Sequence, residues 1–279
     1  MIIFKDAGQL SSFIASKKKQ SSIGFVPTMG ALHSGHLSLI YACKAQNDYA
    51  VCSIFVNPTQ FNNPEDLKHY PVTIERDIEM LIAAGCDILF LPAEDQVYPP
   101  AYQKKTYDLG KLETILEGKY RPGHFQGVCQ VVDRLLEIVQ PSRIYFGQKD
   151  YQQCMVIQRL LQLLNKETEC QLIIEPTKRE ESGLAMSSRN LRLSEEDREK
   201  SVAIFQSLQY IKNNLGREPI KTLQNKASLM LKEKGFDVDY ATIADADTLE
   251  PPGNRSGRLV GLLAATISGV RLIDNMVLN

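Results

Sequence analysis

The chain has 279 residues, 43% hydrophobic and 23% charged, with a formal net charge of −1. That is enough chain for one large domain or two smaller ones with real cores, and it lacks the basic excess that a general nucleic-acid or anionic-membrane binder needs. No apolar run approaches the ~18 residues of a membrane span.

Met1–Phe4 puts apolar residues ahead of the basic Lys17-Lys18-Lys19 cluster, the reverse of a secretory signal. Short apolar runs then alternate with helical patterns. Strands are expected over 23–27, 50–56, 87–91, 143–146 and 171–175, and helices over 7–17, 36–46, 73–84, 125–139 and 150–164. Buried strands separated by helices imply a Rossmann-like α/β domain built on a parallel sheet, with ligands beyond the carboxyl ends of the strands. Composition turns polar and loop-like near Pro176. Ser194 followed by Glu195-Glu196-Asp197 reads as an N-cap with an acidic first turn, opening a helix over 195–215. A helix over 219–234, a strand over 237–244, the Pro251-Pro252-Gly253 turn and a strand pair over 258–267 and 270–274 complete a smaller α+β unit. The expected division is therefore a nucleotide-binding body, 1–176, and a C-terminal lid domain, 177–279, with the site in the cleft. Six cysteines, with no C-x-x-C pair and mostly in apolar segments, read as reduced buried thiols in a cytoplasmic protein.

The most informative stretch runs from Gly24 to His36: an apolar run, a Gly/Pro-rich turn, two histidines three apart, then a helical pattern from Leu37. A strand, a tight turn and a helix N-terminus make a natural anion site. Histidines there can donate to phosphate oxygens and answer charge developing in a transition state, so a nucleoside triphosphate is the expected ligand. Gly147-Gln148-Lys149-Asp150 falls at another strand end, with Lys149 as a flexible point charge for phosphate and Asp150 as an acceptor for ribose hydroxyls. Met186-Ser187-Ser188-Arg189 offers hydroxyls and a guanidinium in a loop able to wrap a triphosphate. Asn57, Gln60 and Gln153 are neutral amides, suited to holding a hydroxy-acid while leaving its carboxylate nucleophilic. Asp77, near a helix start, either holds a magnesium ion through water or complements the helix dipole. Tyr70 could wall the pocket, and His124 is a loop residue or a further polar wall.

Taken in order, Met29–His36, Phe55–Phe61, Arg121–Phe125, Gly147–Gln153, Met186–Asn190 and Arg271–Asn275 resemble the pantoate–β-alanine ligase family over nearly the whole chain. His33-Ser34-Gly35-His36 resembles the H-x-G-H motif of the nucleotidylyl transferases, and Met186–Arg189 resembles their K-M-S-K-S-type loop. The resemblance implies that pantoate attacks the α-phosphate of ATP to give pantoyl adenylate, which β-alanine then converts to pantothenate and AMP. It implies ATP binding by Met29, Gly30, Ala31, Leu32, His33, Ser34, Gly35 and His36, by Gly147, Gln148, Lys149 and Asp150, by the Lys178 backbone, and by Met186, Ser187, Ser188 and Arg189. His36 would be the proton donor, with His33, Lys149 and Arg189 as further catalytic groups. Gln60 would meet pantoate and β-alanine, Gln153 would meet pantoate, and Asn57 would support that pocket. Magnesium dependence and a homodimer are implied as well. Two positions depart from the family pattern: Lys178 stands for a small apolar residue, and Val270 for a common threonine. The competing readings are a nucleotidylyl transferase acting on a phosphate ester, which would want a basic acceptor pocket, and a non-catalytic ATP sensor; an aminoacyl-tRNA synthetase fits less well, because the chain is short and not basic.

Overall fold

The computed structural model describes residues 1–62, 64–253 and 257–279. They form two compact units: residues 1–147 with 153–175, and residues 148–152 with 176–279. The first unit carries strands β1 (Ile2–Phe4), β2 (Ile23–Thr28), β3 (Tyr49–Ile54), β4 (Ile88–Phe90), β5 (Arg143–Gly147) and β6 (Gln171–Glu175). They pair in parallel in the spatial order β1-β4-β3-β2-β5-β6. Its helices, in chain order, are α1 (Ala7–Lys18), α2 (Ser34–Gln46), α3 (Pro64–Lys68), α4 (Ile74–Ala83), α5 (Glu94–Val97), α6 (Leu116–Tyr120), α7 (His124–Val139) and α8 (Tyr151–Leu163).

Side chains alternate between the two faces of a strand, and both faces of this sheet are covered. Phe25, Val51, Ile88, Phe90, Ile144 and Phe146 face Leu10 and Ile14 of α1 and the apolar stripe of α7. Val26, Cys52, Ile54, Leu89 and Tyr145 face Leu39, Ile40 and Cys43 of α2 and Leu81 of α4. That two-sided burial is why the strands read as continuous apolar runs rather than alternating ones. Gly24 lets α2 approach the sheet, since a Cβ there would lie 2.4 Å from Cys43 Sγ and 2.5 Å from Asn47 Nδ2. β1 falls outside the predicted strands. Three residues are too short a run to show a period, and its pairing partner, β4, lies more than eighty residues away in the chain.

The second unit has strands β7 (Asp237–Asp245), β8 (Leu259–Ile267) and β9 (Val270–Val277) as an antiparallel sheet, with helices α9 (Glu195–Asn214) and α10 (Ile220–Glu233). Ser268 and Gly269, at φ 48° and 76°, make the two-residue turn between β8 and β9 that matches the twist of a hairpin. Ser194 caps α9, accepting from the Asp197 N–H at 3.1 Å. β9 runs three residues past its predicted end at 274. One boundary also differs from the expected split at 176: Gln148–Gln152 belongs with the second unit. The Asn275 side chain binds the carbonyls of Gln148 and Lys149, and the Tyr151 hydroxyl donates to Ala246 O. No described helix is long and apolar enough to cross a membrane, and none of the six cysteines is in a disulfide. Burial pushes the Cys43 thiol up to about 12.

Candidate functional site

β2 lies between β3 and β5, where the strand order reverses, and such a switch point is where open α/β sheets bind ligands. Pairing of β2 with β5 covers only Gly24–Phe25 and Arg143–Ile144. Pro27, which has no N–H to donate, therefore sits beyond the last β5 pair. The chain then turns sharply through Gly30 and Ala31, at φ 82° and 49°. A left-handed alanine is strained by about 1–2 kcal/mol, so something must hold it. Asp77 of α4 does: its carboxylate accepts from the Ala31 N–H at 2.8 Å, the Leu32 N–H at 2.8 Å and the Thr73 hydroxyl at 3.0 Å.

The histidines then cap α2 reciprocally. His33 Nδ1 accepts from the Gly35 N–H at 3.1 Å, and the His33 N–H points to His36 Nδ1 at 3.4 Å. A backbone N–H can only donate, so both Nδ1 atoms are unprotonated and both rings carry their proton on Nε2. The rings lie 4.1 Å apart. The turn thus fixes the tautomer of two Nε2–H donors at the positive end of a helix.

The amides come from the loop after β3. Asn57 is 1% exposed. Its Oδ1 accepts from Thr59 N, Thr59 Oγ1 and the Tyr98 hydroxyl, and its Nδ2 donates to Gln60 Oε1 at 3.1 Å and Gly127 O at 3.2 Å. With Oε1 held there, the Gln60 amide turns its Nε2 toward Met29 Sδ, 3.0 Å away. His124 secures the backbone below: Arg121 Nη1 donates to its Nε2, so its Nδ1–H donates to Gln60 O at 2.8 Å. Tyr70 packs edge-on against Phe61, and burial pushes the Tyr98 hydroxyl up to about 12.

α7 can approach this loop because residue 127 is glycine. A Cβ there would lie 2.2 Å from Thr59 O and 2.6 Å from Gln60 Cα, both backbone atoms. Gly127→Ala is expected to shift the Pro58–Gln60 turn and to cost roughly 1–3 kcal/mol of stability through overpacking; a thermal melt checks this, and an unchanged Tm would mean that the turn yields freely.

In the second unit, Lys149, Ser187, Arg189, Arg271 and Asp274 line a small polar pocket. Arg179 holds Asp274 with two bonds of 2.5 and 3.0 Å and stacks 4.4 Å from the Phe205 ring centroid. Burial raises the Asp274 carboxyl against the opposing pull of Arg179. Arg271 is paired with Asp239 at 2.7 Å and the Lys149 ammonium lies 3.5 Å from Asp150 Oδ1, so the pocket gathers basic groups that already have acidic neighbours. The Ser187 hydroxyl accepts from the Arg189 N–H and starts the short 3-10 turn Ser188–Arg192. Met186 N donates to Lys178 O at 3.0 Å, closing the base of that loop, while the Lys178 side chain is exposed. Its departure from the family pattern is thus a surface change.

Within the first unit the structure brings Met29–His36 together with Asn57 and Gln60, and within the second it gathers Lys149 with Ser187 and Arg189. Gln153 lies in the first turns of α8. Asp77 does not fit a magnesium ligand. It is fully buried and its oxygens already serve two amides and a hydroxyl, and among the described residues no group of three His, Cys, Asp or Glu side chains could hold a metal ion. Tyr98, Thr59, Gly127 and the Arg179–Asp274 pair were not legible as site residues. Asp274 alone left a trace: it follows Val270 and Leu272 at the buried positions of β9, where an unpaired acid is rare.

A doubly wound α/β protein with its ligand crevice at the β2 switch point is the class that this fold and site define. The chain belongs to the pantoate–β-alanine ligase family, whose model matches residues 2–277. It is 45% identical to pantothenate synthetase of Cytophaga hutchinsonii, across 100% of this chain and 99% of that protein. The crystal structure of pantothenate synthetase from Thermus thermophilus matches with a TM-score of 0.92 at 38% identity, covering 99% of both chains. A pantoate–β-alanine ligase from Francisella tularensis, complexed with β-γ ATP and β-alanine, matches with a TM-score of 0.83 at 40% identity, covering 99% of this chain and 97% of that one. The protein is thus an enzyme that ligates pantoate to β-alanine.

Proposed function

We propose that ATP drives this ligation through a pantoyl adenylate. Pantoate's carboxylate attacks the α-phosphorus of ATP, an O–P bond forms, and the bond to the β-phosphate breaks to release pyrophosphate. The uncharged amine of β-alanine then attacks the acyl carbon. The C–N bond forms, AMP leaves with the electron pair of the C–O bond, and the amine loses its proton. The observation that carries this reading is the pair of Nε2–H histidines held on the β2 turn at the N-terminus of α2. They supply preorganised donors for charge that develops on phosphate. The Francisella tularensis complex supports ATP and β-alanine as substrates.

We assign His36 as the proton donor, with His33 beside it, and Lys149 and Arg189 as charges that offset the repulsion between two anions. Met29–Leu32, Ser34, Gly35, Gly147, Gln148, Asp150, the Lys178 backbone and Met186–Ser188 complete the ATP set. Gln60, Gln153, Asn57 and Tyr70 make the acceptor pocket. Neutral amides hold pantoate without the bidentate arginine contact that would stabilise its carboxylate before attack. Magnesium enters as the counter-cation of ATP, part of the substrate. With six unbridged cysteines, we assign the enzyme to the cytoplasm; the family resemblance makes it a homodimer, and light scattering at twice the chain mass would support that.

Pyrophosphate and AMP release from Mg·ATP test the sequence of steps. Pyrophosphate with pantoate alone, and AMP with pantothenate only after β-alanine is added, is the expected result. Pyrophosphate release that waits for β-alanine would overturn the adenylate. Gln153→Ala is expected to raise the KM for pantoate at least ~10-fold while leaving that for ATP nearly unchanged, as loss of a polar contact to one substrate should. Equal effects in the two titrations would remove Gln153 from the acceptor pocket.

A further inference from the structure

We propose that Asn275, on β9, is the positioning residue that aims Lys149. This rests on the assignment of Lys149 to the triphosphate. Asn275 is 2% exposed and acts only through its neighbours. Its Nδ2 donates to two consecutive carbonyls, Gln148 O and Lys149 O, both at 2.8 Å, and its Oδ1 accepts from Gln148 Nε2 at 3.1 Å. Both donors and the acceptor of one amide are thus spent on the Gln148–Asp150 turn.

The anchor is itself rigid. The Asn275 N–H donates to Asp274 Oδ1 at 2.8 Å, and Arg179 Nη2, already bonded to Asp274, reaches Asn275 O at 3.3 Å. The Ser268–Gly269 turn and β8 hold the strand from the other side. A lysine has a long flexible stem, so fixing its carbonyl and the one before it removes the backbone part of that freedom. Held this way, Lys149 lines the pocket with Ser187 and Arg189, its ammonium 3.5 Å from Asp150 Oδ1. The same bonds account for residues 148–152 travelling with the second unit rather than with the strand they follow.

The test is a double-mutant cycle on pantoate-dependent pyrophosphate release. Asn275→Ala is expected to lower kcat roughly 10–100-fold, as misplacement of one catalytic group does, with the KM for pantoate unchanged. In a Lys149→Ala background the same substitution is expected to cost under about 3-fold, because the group it aims is gone. Equal losses in both backgrounds would overturn the proposal. Asn275→Ser, which keeps one donor, should fall between Asn275→Ala and the parent. Amide exchange separates aiming from unfolding: faster exchange confined to 148–152 is expected, whereas lost protection throughout β7–β9 in both variants would make Asn275 merely structural and sink the idea. A Lys149→Ala enzyme as fast as the parent would instead remove the assignment of Lys149, a failure distinct from a silent Asn275→Ala beside an inactive Lys149→Ala.

Discussion

Lys149→Ala is expected to slow pantoate-dependent pyrophosphate release by roughly 10²–10³-fold, the scale seen when one donor is removed from a developing charge. Lys149 lines the pocket that also holds Arg189 and Arg271, and its ammonium lies 3.5 Å from Asp150 Oδ1. On the proposed adenylate route a carboxylate comes up to a triphosphate, so a missing cation is expected to raise the barrier more than it weakens ground-state binding. The loss should therefore fall on kcat for the first half-reaction and spare the attack of β-alanine on preformed adenylate. Single-turnover kinetics of the two halves separates these. Equal damage to both would mean that Lys149 holds AMP through the whole cycle rather than meeting the departing pyrophosphate.

Asp77→Ala should damage both stability and catalysis. The variant leaves the Ala31 and Leu32 amides without an acceptor in a buried turn. Each lost acceptor costs about 1–3 kcal/mol, so a total of roughly 2–6 kcal/mol and a Tm lower by roughly 4–12 °C are expected. Activity should fall further than stability requires. Without the carboxylate the left-handed Ala31 loses the bond that clamps its N–H, and the turn that sets the tautomer and spacing of His33 and His36 relaxes. Asp77→Asn should keep one of the two amide bonds and turn an NH₂ toward the other, giving a smaller loss of the same kind. Thermal melts beside pyrophosphate release at a temperature where both variants are folded check this; wild-type turnover in folded Asp77→Ala would mean that the turn holds its shape unaided.

Asp77 also marks where the reading of the sequence stopped. An acid near a helix start is worth noticing, and the sequence leaves two local explanations for it: a magnesium held through water, or the helix dipole. Besides the nearby Thr73 hydroxyl, its partners are the Ala31 and Leu32 amides, more than forty residues away. The same holds for His124, which supports Gln60 from 64 residues off, and for Gly127, whose missing Cβ matters only because a distant loop lies against it. Local signals cannot report such partners, since a hydrogen bond needs only proximity in space.

What the sequence determined by itself is considerable. The alternation of apolar strands and helices dictated a parallel sheet, because strands buried on both faces must be apolar throughout. The Gly/Pro turn ending in two histidines was legible as a strand end, a tight turn and the start of α2, because those residue types act through their immediate neighbours. The Asn57–Gln60 and Gly147–Asp150 clusters announced themselves by falling at strand ends. Tertiary structure alone decided the rest: which nitrogen of each histidine carries the proton, which way the Gln60 amide faces, that Gln148–Gln152 belongs with the second unit, and that Asp77 clamps a backbone. Each of these is a matter of orientation, set by donors and acceptors that meet only after the chain has folded.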